Sequence, residues 1–160
     1  AAASIDHWLT GHDASTVAVP VSPEQMVTLA ADTAGEKFIL WSGGAADCLI
    51  VAAHGPEGCF LVHQTRSGPR PQDIVGAIRD LGHSPTVWLA SGMFATMQTQ
   101  DGELRSELIH ETVGALTDPA SGLAIEATYS QGALALNLHT GETAIGRAVT
   151  TKLQDPRRAK

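Results

Sequence analysis

The chain has only two cysteines in 160 residues, Cys48 and Cys59, too few for the disulfide-dense scaffold of a small secreted domain. It is poor in positive charge: ten Lys and Arg stand against seventeen Asp and Glu, for a net charge of −7. Nucleic-acid binding is therefore not expected, because phosphate contacts need a basic surface. An acidic surface suits solubility or a basic protein partner. No apolar run reaches the length of a membrane-crossing helix. The opening "AAASIDHWLTGHD" has neither a basic n-region nor an apolar h-region and is not expected to be a signal peptide. The G-x-S-x-G, H-E-x-x-H and Walker patterns are absent. No internal repeat, linker or low-complexity tract breaks the chain.

What is there reads as one domain over residues 1–160, with 43% hydrophobic and 17% charged residues and enough length for a real core. Residues 1–13 and the polar tail 151–160 are expected to fray. "STVAVPV" (15–21) alternates like a strand, with Pro20 at an edge or a strand end. Residues 22–35 carry helix signals: Ser22 as N-cap, Pro23 at N1, Gln25 completing a capping box and Gly35 as the stop. "KFILW" (37–41) is a short buried strand, and "SGGAA" (42–46) a tight turn. Helices are expected over 71–82, where Ile74, Ile78 and Leu81 share a face, and over 101–116, with Leu104, Leu108 and Leu116 inward. Strands are expected over 86–92, 123–130 and 133–139, and a last one after Thr140-Gly141. The fold class is α+β: a central mixed or largely antiparallel sheet, with a β-sandwich as one form of it, flanked by about three helices.

Both cysteines and two of the seven histidines lie in "DCLIVAAHGPEGCFLVHQT" (47–65), which alternates like a hairpin about residues 55–58. Symmetric pairing sets His54 against Cys59, Ile50 against His63 and Cys48 against Thr65, so that Cys48, His54, Cys59 and His63 share one face. Cys48 and His54 are then about 20 Å apart at roughly 3.3 Å per residue. A Cys48–Cys59 disulfide, which needs Cα atoms within about 7 Å, is excluded, and so is a four-ligand zinc site. Cys48 and His63 are diagonal neighbours at roughly 7–8 Å, close enough for a thiol and an imidazole to meet. Successive N–H groups in the turn before Cys48 can line an oxyanion site, with Asp47 and Cys48 as backbone donors. Asp47 itself points to the opposite face from Cys48. A Cys on a buried strand is most often a small hydrophobe, and Cys59 is read that way. His54 reads as a polar hairpin end. His7, His12, His83, His110 and His139 read as surface residues, and the tryptophans at 8, 41 and 88 as core or rim.

With "GGAADCLIVAAHGPEGCFLVHQT", Cys48 and His63 fifteen residues apart, and the helix–strand–helix–strand order after them, residues 36–147 resemble the CheD-like superfamily of protein glutamine deamidases. That group includes chemoreceptor deamidases and toxins of the cytotoxic necrotizing factor type. The resemblance is closest to the toxin branch. The residues before the Cys, Ala46-Asp47, depart from the family's small-residue pattern, and the Gly-Gly-Met-x-His segment of the chemoreceptor enzymes is absent.

The resemblance implies a thiol-dependent enzyme that converts a glutamine of a target protein to glutamate. Cys48 would be the nucleophile and His63 the acid and base. Ser42, or a carbonyl from Val17–Val19, would hold the His63 ring. It implies no metal or cofactor and a protein substrate as partner; no nucleic acid, membrane or stable oligomer is expected. It also implies a bacterial effector or toxin, secreted or delivered into a target cell and acting in its cytosol, or a cytoplasmic protein on the chemoreceptor-type reading. The same dyad would serve a protease or a transglutaminase. A non-catalytic binding domain with a structural Cys48 is the alternative of another class. Fast labelling by iodoacetamide at neutral pH would separate an enzyme from that last case.

Overall fold

The computed structural model describes residues 3–5, 16–32, 37–96 and 107–146. The expected Leu104, the histidines at 7 and 12, Trp8 and the tail 151–160 lie outside the described residues. Two sheets form the frame. The first runs in the order Ala3–Ser4 (β1), Thr143–Gly146 (β10), Ala133–Asn137 (β9), Lys37–Ser42 (β4), Thr16–Pro20 (β2). The second runs Met26–Ala30 (β3), Gly58–Gln64 (β6), Leu49–Gly55 (β5), Thr86–Ala90 (β7), Ala124–Tyr129 (β8). Both are mixed: β1 with β10, β2 with β4 and β7 with β8 are parallel, and the other pairs antiparallel.

Side-chain alternation turns the sheets into layers. On β5, Leu49, Val51 and Ala53 face one way and Ile50 and Ala52 the other. The first set joins Phe60, Val62, Val87 and Leu89 in a core with Ile74 and Ile78 of the helix Pro71–Arg79 (α1) and Ile109 and Leu116 of the helix Glu107–Thr117 (α3). A single helical turn, Met93–Thr96 (α2), lies between β7 and α3 in the chain, and its Met93 and Phe94 join the same core. The second set joins Leu61 and Trp88 against Phe38, Leu40, Leu134 and Leu136 of the first sheet. The fold is thus an α+β sandwich in which two sheets pack face to face and helices cover the outer face of one. Strands β5 and β6 are covered on both faces, and for that reason read as nearly unbroken apolar runs. Among the described residues no helix is long and apolar enough to cross a membrane.

The expected helix over 22–35 is a correction. Its local signals are satisfied, but by a turn: the Ser22 N–H donates to Gln25 Oε1 at 3.0 Å, and the Gln25 N–H to the Ser22 carbonyl at 3.0 Å. Glu24 then takes a left-handed φ of +70°, which no helix continues through. The chain leaves as strand β3, paired to β6 from Met26↔Val62 to Ala30↔Gly58. Val27 and Leu29 pack on the interlayer core while Thr28 and Ala30 are exposed, a period of two. A capping box closes a first turn; the apolar period of the residues after it decides between helix and strand.

The amino end departs from expectation too: Ala3 and Ser4 pair with β10, and Ile5 is fully buried. Pro20 ends β2, an edge strand, as its missing N–H requires.

Candidate active site

The register places the four hairpin residues. Ile50 pairs with His63 and His54 with Cys59, and Gly55 faces Gly58 across Pro56-Glu57. Ladder pairing stops at Leu49↔Gln64, one residue short of Cys48. Cys48 sits in the bend before β5, half-buried, with its side chain on the interlayer core. His63 faces the same interlayer space and is 2% exposed.

On the facing sheet, Phe38 and Leu40 of β4 point into the interlayer core. The period of two brings Ser42 round to the same side, where it meets His63. Ser42 Oγ lies 2.7 Å from His63 Nδ1 and 2.6 Å from the carbonyl of Val21. A carbonyl only accepts, so the single hydroxyl proton is committed to Val21. Ser42 Oγ must then accept from Nδ1–H. That fixes the neutral tautomer of His63 and leaves Nε2 as the basic nitrogen. From behind, the His63 backbone is held by the turn before β3: its carbonyl accepts from the Glu24 N–H at 2.7 Å, and its N–H donates to the Gln25 carbonyl at 3.3 Å. The turn that replaces the expected helix thus seats the histidine.

The bend carrying Cys48 is held on two sides. The Ala45 N–H donates to the Gly132 carbonyl at 2.9 Å, and the Gly92 N–H to the Ala45 carbonyl at 2.9 Å. A Cβ on Gly92 would stand 3.0 Å from Ala46 Cα and 3.1 Å from the Ala46 carbonyl oxygen, tighter than ordinary contact allows, so glycine is what lets this strand end approach the bend. The N–H groups of Asp47 and Cys48 have no hydrogen-bond partner among the described residues.

Electrostatics set the resting protonation. Burial pushes the Cys48 thiol above its ordinary value, the Asp47 carboxylate pushes it further, and Arg66 pulls it partly back. Burial pushes His63 below its ordinary value. Both shifts favour the uncharged forms, a thiol at Cys48 and a neutral imidazole at His63. Fast iodoacetamide labelling at neutral pH is not expected of a thiol held in its neutral form.

At the hairpin's closed end, Cys59 is fully buried and burial raises its thiol to about 12. His54 Nε2 lies 2.9 Å from the Leu138 carbonyl, and its ring packs on Gly141. Both cysteines are free, and no cluster of three or more His, Cys, Asp or Glu that could hold a metal occurs among the described residues. His83, His110 and His139 are exposed, Trp88 is interlayer core, and Trp41 packs on the outer face of the first sheet.

The structure brings Ser42 Oγ onto His63 Nδ1, and the carbonyl in the chain is that of Val21, outside Val17–Val19, accepting from the serine and not from the ring. The contributions of Gly92, Gly132 and the 24–25 backbone were not foreseen; main-chain contacts of this kind leave no trace in residue type. No family model matches the chain, and no curated protein matches it.

Proposed function

We propose that the protein is a protein-glutamine deamidase working through Cys48 and His63, with Ser42 as the residue that positions the imidazole. The supporting observation is the buried Val21–Ser42–His63 chain, which spends Nδ1 on the scaffold and leaves Nε2 basic on the face that Cys48 shares. A core histidine needs partners, but its packing role leaves unexplained an Nε2 kept basic on the face that a partly exposed thiol shares.

In the proposed reaction, Nε2 takes the thiol proton as Sγ attacks the carboxamide carbon of a glutamine side chain. The N–H groups of Asp47 and Cys48 stabilise the oxyanion. His63 returns the proton to the departing nitrogen, the C–N bond breaks and ammonia leaves. Water, deprotonated by His63, then attacks the thioester; the C–S bond breaks and Cys48 recovers its proton. The product is a glutamate, one negative charge where the target had none. A bacterial effector or toxin delivered into another cell is the setting we propose for this chemistry.

Ammonia release from candidate target proteins, measured with the wild-type chain and with Cys48→Ala, is the test. Equal release by both rejects Cys48 as the nucleophile. Incorporation of an amine in place of water would reassign the site to transglutamination.

A further inference from the structure

Gln64 follows His63 directly and is the last residue of β6 in the ladder, paired with Leu49. Its side chain therefore points to the face opposite His63, into the helical layer. It is fully buried. Its Nε2 donates to the Pro69 carbonyl at 2.8 Å and to Thr112 Oγ1 of α3 at 2.6 Å. Its Oε1 has no partner in the interior.

Both partners of the amide can only accept. The Pro69 oxygen is a carbonyl, and Thr112 Oγ1 gives its single proton to the Leu108 carbonyl at 3.1 Å. Turning the amide over would set Oε1 against two acceptors. Its orientation is therefore fixed, and the stranded oxygen is a consequence of the two bonds. A position that only filled the core would be met by an apolar side chain of the same length, with no acceptor stranded. What this position uses is two donors without a charge, which among side chains an amide supplies.

These bonds act where the ladder ends on both sides. Towards β3 the pairing stops at Met26↔Val62, and towards β5 at Leu49↔Gln64. His63 lies between those limits. Ser42 holds its ring from the other sheet, and the turn at residues 24–25 holds its backbone from the edge. On the helical side, Gln64 ties the strand end to α3 and to the loop at Pro69.

Resting on the deamidase reading, we propose that Gln64 is a positioning residue for the reaction. Through Thr112 and Pro69 it fixes the depth of the β6 end between the layers, and so keeps the His63 ring in register with Ser42. A shift of the strand end by about an ångström would spoil the Ser42–His63 bond, and with it the single tautomer that leaves Nε2 basic. Gln64 touches no reacting atom; it acts on the imidazole through the backbone they share.

Two readouts test this and separate its failure from that of the deamidase reading. The first is the tautomer of His63 at neutral pH, read from the nitrogen NMR shifts of its ring and assigned by their loss in His63→Gln. The wild type should show Nδ1–H alone. Gln64→Met keeps the length of the side chain and removes the donors together with the stranded acceptor. It should give a mixture of tautomers while melting within a few degrees of the wild type, since relief of the stranded oxygen offsets the two lost bonds. Thr112→Val, which removes one of the two partners, should shift the balance in the same direction and by less. Ile78→Val, a packing loss in the same helical layer, should lower the melting point and leave His63 in one tautomer. A single tautomer in both Gln64→Met and Thr112→Val overturns the proposal, and if Gln64→Met does not fold, Thr112→Val decides alone. Mixing in Ile78→Val overturns it too, because loss of packing would then account for the effect.

The second readout is ammonia release. Gln64→Met should lower kcat by about fivefold or more, with KM within about twofold, because orientation is lost and target contact is not. An unchanged kcat overturns the positioning role while leaving the deamidase intact. If the wild type releases ammonia from no target protein, the deamidase reading fails and the role of Gln64 in the reaction fails with it, whatever the tautomer does.

Discussion

The β5–β6 hairpin holds a cysteine and a histidine at each end, all four on one face, and the two ends do different things. At the closed end, His54 spends Nε2 on the Leu138 carbonyl, and Cys59 is sealed off with its thiol raised to about 12. At the open end, His63 spends Nδ1 on a hydroxyl and keeps Nε2, and Cys48 lies half-buried in a bend where the N–H groups of residues 47 and 48 have no partner among the described residues. Residue type and face are the same. What differs is which ring nitrogen the scaffold consumes and whether the thiol is reachable.

The largest expected difference is in turnover. Cys48→Ala should lower ammonia release by about 10³-fold or more, while Cys59→Ala should leave it within a few-fold, as measured on matched proteins that both melt cooperatively. Loss of activity in both would erase the contrast. Next comes the histidine pair. His63→Ala should cost about 10²- to 10⁴-fold in kcat. His54→Ala should act on stability instead, removing one hydrogen bond worth about 1 kcal/mol, seen as a melting point lower by a few degrees with kcat little changed. Ser42→Ala stands between the two kinds of effect. It should lower kcat by roughly tenfold, less than loss of His63, because the imidazole remains but its orientation is no longer imposed. It also strips the Val21 carbonyl of its donor.

Hydrogen-bond register made the hairpin legible in advance. Ile50↔His63 and His54↔Cys59 follow from counting outward from Gly55 and Gly58, and α1 follows from Ile74 and Ile78 one turn apart. Residues 22–35 defeated the same approach because a capping box reports one turn of chain, while β3 is decided by pairing with β6, which is distant in sequence. At the site, Ser42 could be proposed only through a family resemblance. Nothing local says that the fourth residue after Phe38 will meet a histidine on another sheet. The Val21 carbonyl, the Gly132 carbonyl and the Gly92 N–H belong to the backbone, which every residue has.

Smaller effects concern ionisation. A thiol raised by burial should be alkylated by iodoacetamide at a rate that climbs about tenfold per pH unit through the neutral range; a plateau between pH 6 and 8 would indicate an ion pair and contradict the shifts of both groups. Asp47→Asn removes a negative charge beside Cys48, which favours the thiolate, lowers the thiol's pKa and so speeds alkylation at pH 7 by about two- to threefold. The smallest expected effect is on alkaline stability. Because the folded pKa of Cys59 is raised above the unfolded value of 9.0 to about 12, its contribution is complete below pH 9 and is lost as pH rises towards 12. Cys59→Ala should flatten that part of a urea-stability profile, while Cys48→Ala should change it less.

Val21 and Ser42 belong to one layer and His63 to the other, so the Ser42–His63 bond crosses a largely apolar interface at the hairpin's open end, as the His54–Leu138 bond does at its closed end. Apolar packing resists pulling two layers apart, yet it is nearly indifferent to a small slide. Directional bonds are not. The Ser42–His63 bond, with His54–Leu138 at the far end of the hairpin, therefore works as a dowel that sets the alignment of one layer on the other, and a slide of about an ångström, enough to spoil a hydrogen bond, would uncouple the histidine before it disturbed the core.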